Sequence, residues 1–375
     1  MSNNLLSPSE LTRYSRQFAL PDVGLAGQEK LKKAKVLCIG AGGLGSPLLL
    51  YLAAAGVGTL GIVDEDTVEL SNLQRQILYT TNDLAHEKAA TAKERLLQLN
   101  PHGHIVAHPV RLTHDNALEV LQDYDIVVDG TDNFYTHYLI NDASFHLKKP
   151  LVYASIAQFE GQCSVFNVNG GPCYRCLYAA PPPDGLIPNC AEGGVFGVLP
   201  GLVGTLQAIE VIKLILNLGQ SLVGRLLTIN TMNMQFQEWP IQRDPVCRLC
   251  IQHQAFDTLP HHMPAACTPV TVPEITASEL AALKERGIDY VLLDVREEYE
   301  YAICNLGGKL IPLSQLPQQL PFLDKNRLYI VHCKIGGRGS KAVKMMQEHG
   351  FNSVKNMRGG ILAWIKEIDP QMAVY

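Results

Sequence analysis

Apolar runs and helical patterns alternate along residues 1–252. Short apolar runs at Val36–Ile39, Leu60–Val63, Ile105–Val110 and Ile126–Asp129 read as buried strands. Between them, apolar residues recur at helical spacing over Leu44–Ala55 and His86–Leu99. Such alternation predicts a mostly parallel sheet with helices on its faces. From Leu151 the texture changes. Leu151–Val168 and Leu226–Trp239 are extended, alternating segments suited to antiparallel pairing, so the sheet is expected to be mixed. Val195–Leu218 is long and apolar, but Pro200, Glu210 and Lys213 interrupt it. It reads as a buried helix rather than a membrane span.

Residues 253–274 are rich in Pro and His, lack periodicity and read as a linker. Thr276-Ala277-Ser278-Glu279 then opens a helix with a capping pattern. Strands are predicted at Tyr290–Leu293 and Leu328–His332, and helices at Ser340–Glu348 and Ile361–Ile368. Three parts are therefore expected: an α/β domain over 1–252, the linker 253–274, and a small α/β domain over 275–375.

Composition narrows the function. With 375 residues the chain can bury two cores. A net charge of −5 speaks against a nucleic-acid binder, and no apolar signal segment opens the sequence. A cytoplasmic protein is expected. Ten cysteines in a reducing compartment serve as metal ligands, reactive thiols or core residues more often than as disulfides.

The densest chemistry lies between Val36 and Gln76. The first apolar run ends in Gly40, Gly42, Gly43 and Gly45, a helix follows, and the second run ends in Asp64. Glycines at a strand-to-helix turn let backbone N–H groups approach a phosphate, and a carboxylate after the next strand can hold ribose hydroxyls. That much also fits a dinucleotide dehydrogenase. Ser71-Asn72-Leu73-Gln74-Arg75-Gln76, directly after the second strand, suits a triphosphate better than a nicotinamide. Arg75 and Lys88 are the candidate charge partners for leaving phosphates. Asp132 follows a predicted strand, where a carboxylate can hold Mg²⁺.

From Arg13 to Cys250 the sequence resembles the adenylating enzymes of ubiquitin-like sulfur carriers, the ThiF/MoeB group within the E1-like superfamily. Arg13-Tyr14-Ser15-Arg16-Gln17, the glycine loop, Asp64, the Ser71–Gln76 segment, Lys88, Asp132-Asn133 and two Cys pairs carry the resemblance. It implies a Rossmann-like adenylation domain that binds ATP and Mg²⁺. Within it, Asp64 would serve ribose, Asn72, Arg75 and Lys88 the phosphates, and Asp132 the metal. The implied partner is a small ubiquitin-fold carrier of the MoaD/ThiS type ending in Gly-Gly. The resemblance also implies a homodimer in which Arg16 reaches the partner subunit's active site. One departure is His137, where the family usually has an arginine.

Cys173-Tyr174-Arg175-Cys176 and Cys247-Arg248-Leu249-Cys250 are both C-x₂-C. Two such pairs suit structural Zn²⁺ in tetrahedral thiolate coordination, with a thioredoxin-like redox pair as the alternative. The resembled group binds zinc with matching pairs. Cys190 lies in a Pro/Gly-rich segment expected to be an exposed loop. In the resembled group a cysteine there can attack the acyl-adenylate or link covalently to the carrier. Cys38, Cys163, Cys267 and Cys304 are expected to be inert.

Near the C-terminus, Leu328–His332 runs into Cys333-Lys334-Ile335-Gly336-Gly337-Arg338 and then a helix. Inward N–H groups, the helix N-terminus, Lys334 and Arg338 are expected to favour the nucleophilic thiolate of Cys333. A thiolate of this kind can hold sulfane sulfur as a persulfide. This loop resembles the active loop of rhodanese-like sulfurtransferases, with Asp294-Val295-Arg296-Glu297 and Gly359–Trp364 matching other parts of that domain. Cys-dependent phosphatases space Cys and Arg one residue further apart, so the shorter loop favours sulfur over phosphoryl transfer. A departure is Ile303–Gly308, where the family commonly has a His before its Ile-Pro-Gly turn.

Together the two halves are expected to form an adenylyltransferase and sulfurtransferase that makes a carrier thiocarboxylate from a persulfide or thiosulfate donor. Resemblance to MoeB-like proteins with a rhodanese tail favours the molybdopterin carrier. A non-catalytic carrier-binding scaffold and an NAD-dependent oxidoreductase are the alternatives.

Overall fold

Five short parallel strands, β1 (Lys35–Ile39), β2 (Thr59–Val63), β3 (His104–His108), β4 (Ile126–Asp129) and β5 (Leu151–Ala157), form one side of the eight-stranded first sheet. In this computed structural model, residues 5–181, 194–259 and 272–374 are described. Strands β6 (Glu160–Phe166), β7 (Arg225–Asn230) and β8 (Gln235–Pro240) continue the sheet antiparallel, in the order β3-β2-β1-β4-β5-β6-β7-β8. The sheet is mixed, as the texture change at Leu151 predicts.

β1 is apolar on both sides because both of its faces are covered. Val36 and Cys38 pack with Leu48, Leu49 and Leu52 of the helix Gly45–Ala55. Leu37 and Ile39 pack with Tyr138, Leu139 and Ala143 of the helix Phe134–His146. Each fully buried leucine here contributes about 1.5–3 kcal/mol relative to exposure. Chain order reverses between β1 and β4, and Ile39 lies level with both Val63 and Asp129. Gly40, Asp64 and Gly130 therefore emerge side by side at the switch point, where such sheets bind ligands.

The apolar stretch before Leu218 forms the helix Val198–Leu216, which is long and apolar enough to cross a membrane. It packs against β5, β6 and the helix Gly45–Ala55 instead. Its buried Gln207 donates to Asp129 O at 2.7 Å, and its buried Glu210 accepts Leu222 N at 2.8 Å.

The chain divides into two compact units, Met1–Met263 and Pro264–Tyr375. In the second, β9 (Glu274–Ile275), β10 (Val291–Asp294), β11 (Lys309–Leu310), β12 (Tyr329–His332) and β13 (Val354–Met357) are all parallel, in the order β11-β10-β12-β13-β9. The predicted capping pattern closes as a reciprocal box: Glu279 N donates to Thr276 Oγ1 at 3.1 Å and Thr276 N to Glu279 Oε2 at 2.8 Å. The helix after Cys333 begins at Gly337, before the expected Ser340. Phe256 and Leu259 pack in cores of the first unit, and Val272 in a core of the second.

Candidate nucleotide cleft, cysteine cluster and sulfur loop

A cleft opens where β1, β2 and β4 end. Gly40, Gly42, Gly43, Asp64, Asp66, Arg75, Gln76, Lys88, Thr131, Asp132, Asn133 and Thr136 are among its lining residues. The four glycines divide the work. Gly42 and Gly43 face the cleft. Gly40 has φ +91°, and a Cβ there would lie 2.7 Å from Gly130 O. A Cβ on Gly45 would lie 2.1 Å from Gly40 O, so Gly45 permits close helix–strand packing and does not line the cleft.

Charge is placed from several directions. Asp64 Oδ2 accepts Ala41 N at 2.8 Å, and its Oδ1 accepts Asp66 N at 3.0 Å. Burial pushes the Asp64 carboxyl up, against the pull of nearby Lys88. Lys88 opens the helix Lys88–Leu99 and is itself buried, with Nζ 2.9 Å from Asp66 Oδ2. Arg75 is fixed by a bond from Nη1 to Ser71 O at 3.1 Å. Asp132 is exposed at the cleft.

On the Cys side, four chain-distant thiols meet. Cys173 Sγ lies 3.8 Å from Cys176 Sγ and 3.6 Å from Cys247 Sγ, and Cys176 Sγ lies 3.3 Å from Cys250 Sγ. All four sulfurs fall within 4.8 Å of one another. Tetrahedral Zn–S bonds of about 2.3 Å require sulfurs about 3.8 Å apart, so the cluster has the size and donor set for zinc. Contacts with Cys176 and Cys247, and then burial, push the Cys173 thiol up, while contacts with Cys173 and Cys247 lower Cys176. Arg243 donates to Cys250 O and ties the second pair in place.

In the second unit, Cys333 is buried directly after β12. Its sulfur accepts Gly336 N at 3.1 Å and Gly339 N at 3.3 Å. The early helix start at Gly337 is what brings the Gly339 N–H to the sulfur. Asn356 lies beneath, its Nδ2 donating to Ser340 Oγ at 3.0 Å. The expectation that Arg338 adds net positive charge needs correction. Its guanidinium is held by the buried Glu300 carboxylate in two bonds of 2.6 and 2.7 Å. That fork balances the charge and fixes the loop.

The model of the ThiF family matches residues 14–249. The chain belongs to the ThiF family. Beyond the ThiF unit, the rhodanese-like domain model matches residues 276–367. Among curated relatives is the Mycobacterium tuberculosis protein named "Probable adenylyltransferase/sulfurtransferase MoeZ". It is 41% identical over 381 residues, covering 99% of this chain and 96% of that protein. A "Sulfur carrier protein adenylyltransferase" of Thermus thermophilus is 54% identical over 246 residues, covering 64% of this chain and 91% of its own length. Of solved structures, an E. coli MccB complex has TM-score 0.57 at 22% identity, covering 67% of this chain and 76% of that one, and shows the fold alone.

Within the ThiF unit, not every predicted residue reaches the cleft. Ser71, Asn72, Leu73 and Gln74 do not line it; they form the turn that delivers Arg75. Asn133 lines it, but its Oδ1 caps the helix Phe134–His146, accepting Thr136 N at 2.9 Å. Arg16 is exposed on the short helix Ser15–Phe18 and is not a lining residue. His137 is buried against Asp129 and does not line the cleft either. Cys190 and Cys267 lie outside the described residues. Cys38, Cys163 and Cys304 are buried. Sequence reasoning missed Asp66, Thr131 and Glu300, and gave Gln76 no role of its own within the Ser71–Gln76 segment. For Asp66 the Asp64-Glu65-Asp66 pattern was a usable cue; for Glu300 no local pattern pointed to Arg338.

Proposed function

We propose that this chain adenylates the C-terminal glycine of a small ubiquitin-fold sulfur carrier and then converts it to a thiocarboxylate. One observation carries the proposal: a single chain holds both a phosphate-type cleft with Arg75, Lys88 and Asp132 and a thiol, Cys333, set under backbone N–H donors. The full-length relative named for both activities supports joining them.

In the first step the carrier carboxylate attacks the α-phosphorus of ATP, and pyrophosphate leaves. Gly42 and Gly43 offer close backbone approach, Asp64 holds ribose, and Arg75 and Lys88 meet the leaving charge. Asp132 would hold Mg²⁺, which neutralises charge on the phosphates when bound. In the second step the outer sulfur of a Cys333 persulfide attacks the acyl carbon and AMP leaves. A second thiol, assigned to Cys190, then attacks the Cys333 sulfur; a Cys190–Cys333 disulfide forms as the thiocarboxylate leaves, and an external dithiol reductant returns both cysteines to thiols. Cys173, Cys176, Cys247 and Cys250 would hold structural Zn²⁺, with no position open to water.

An apolar surface adjoins the cleft. β5 runs parallel to β4, so its Ala157 end emerges at the same sheet edge. Ile156 and Val195 line the cleft, and Phe159, Phe196, Met232, Met234 and Phe236 beyond them are exposed. Exposed Met and aromatic side chains suit a protein partner. A cytoplasmic homodimer, with Arg16 completing the neighbouring site, is part of the same proposal.

The test is mass spectrometry of candidate carriers, the molybdopterin carrier first, after incubation with ATP, Mg²⁺ and thiosulfate. The expected product gains one sulfur in place of one oxygen at the C-terminus. Absence of adenylate and thiocarboxylate on every carrier overturns the proposal.

A further inference from the structure

The loop that carries Asp132 rests on a buried pair. Asp129 closes β4 with its carboxylate fully buried. Oδ1 accepts Thr131 N at 3.0 Å and Thr131 Oγ1 at 2.7 Å, and Oδ2 lies 2.7 Å from His137 Nδ1. An ionised carboxylate only accepts, so the Nδ1 facing it carries the hydrogen. His137 lies one helical turn past Asn133, whose side chain caps the same helix. Rings of Tyr153, Tyr174 and Phe134 surround the imidazole, with centroids 5.4, 6.0 and 6.2 Å away. The imidazole therefore has a fixed place and a fixed partner.

We infer that His137 is a positioning residue for Asp132. Its bond to Asp129 ties the helix to the strand end, and Asp129 holds Thr131, the residue before Asp132, by both backbone and hydroxyl. Asn133, the residue after, is held by the helix cap. Asp132 thus sits between two anchors, and His137 braces the pair from below. Gly130 touches Gly40 closely enough that a Cβ on Gly40 would lie 2.7 Å from Gly130 O. The inference rests on the cleft being an ATP site with a metal at Asp132.

The test compares His137→Phe, which keeps an aromatic ring but removes the donor, with His137→Gln, which restores an N–H. ATP binding is measured by calorimetry with and without Mg²⁺, beside thermal stability. The wild type should gain affinity when Mg²⁺ is present. His137→Phe should lose about tenfold or more of that gain, with metal-free binding little changed, and His137→Gln should recover most of it. His137→Leu, which also lacks a donor and is smaller than Phe, should act like His137→Phe; it decides the matter if His137→Phe fails to fold. Wild-type Mg²⁺ dependence in the folded variants overturns the inference. So does an equal loss of metal-free binding, or a Gln variant no better than Phe. If the wild type itself binds no ATP, the nucleotide assignment falls with it; if only the variants fail to differ, the positioning role falls alone.

Discussion

Two loops in this chain lead from a parallel strand into a helix, and they are built in opposite ways. The turn after β1 supplies only glycines and a helix start; its charges arrive from distant segments, at Asp64, Arg75, Lys88 and Asp132. The loop after β12 contains its own chemistry. Cys333 and both of its N–H donors lie within seven consecutive residues, 333–339. The charge logic differs too. Lys88 pairs with Asp66, whose side chain is 65% exposed, so a polyanionic ligand can compete for the lysine. Arg338 is locked to Glu300, whose side chain is 2% exposed. The first loop draws its charges from across the fold, and its lysine is paired to an exposed carboxylate. The second holds its thiol under local N–H donors, with the Arg338 guanidinium already paired to a buried carboxylate.

Removing one central side chain from each site should separate the two activities completely. Cys333→Ala is expected to abolish sulfur transfer from thiosulfate and leave carrier-dependent pyrophosphate exchange nearly intact. Arg75→Ala is expected to lower the exchange by about 10²-fold or more, the usual effect of removing one charge-stabilising group, and to leave sulfur transfer unchanged. Both rates are measured on both variants. Parallel loss of the two activities in either variant refutes independent sites.

A finer break tests the claim that the sulfur loop is held by its own fork. Glu300→Gln keeps the shape of the side chain and removes its charge. Glu300 also accepts Glu297 N at 3.0 Å, so the same carboxylate caps a helix. Losing a buried partner of an ion pair typically costs 3–5 kcal/mol; with Arg338 20% exposed, water offsets part of this and about 2 kcal/mol is expected. Denaturant unfolding followed by a probe in the second unit measures it. Unchanged stability would mean that the loop does not depend on the fork.

The same contrast governs what the sequence could reveal. Periodicity exposes the βαβ unit and the strand before Cys333, because both are local patterns of apolar side chains. The C-x₂-C pairs are legible one at a time, and thiol chemistry supplies the reason to join them across the intervening chain. The Asp66–Lys88 and Glu300–Arg338 pairs are not legible, because closure of the fold brings them together. Capping chemistry hid the role of Asn133: an Asn before a helix serves the backbone as readily as a ligand. The early helix start at Gly337 was obscured by glycines, whose weak propensity is outweighed here by packing on β12 and β13. His137 shows the limit most clearly. The sequence marks it only as a departure from a family arginine, and its burial against Asp129 appears only once the fold closes.

A second histidine sharpens the comparison through pH. His332 ends β12 directly before Cys333 and is fully buried. Asp294, 3.6 Å from its Nε2, favours the charged imidazole, whereas Arg296 and burial oppose it. Burial is the largest influence, and the pKa is pushed down to about 4. In the unfolded chain the value is about 6.5, so between these limits the unfolded state binds more protons. The neutral histidine's contribution is therefore fully present above about pH 6.5 and is lost as pH falls toward 4. Over that window the wild-type second unit should lose up to about 3 kcal/mol through this one group. His332→Phe removes the titration. The stability difference between wild type and variant should then shift in the variant's favour as the solution is acidified, read from denaturant midpoints at successive pH values. A difference that stays constant from pH 7 to 4 would show that the imidazole takes up its proton as readily in the folded unit as in the unfolded chain.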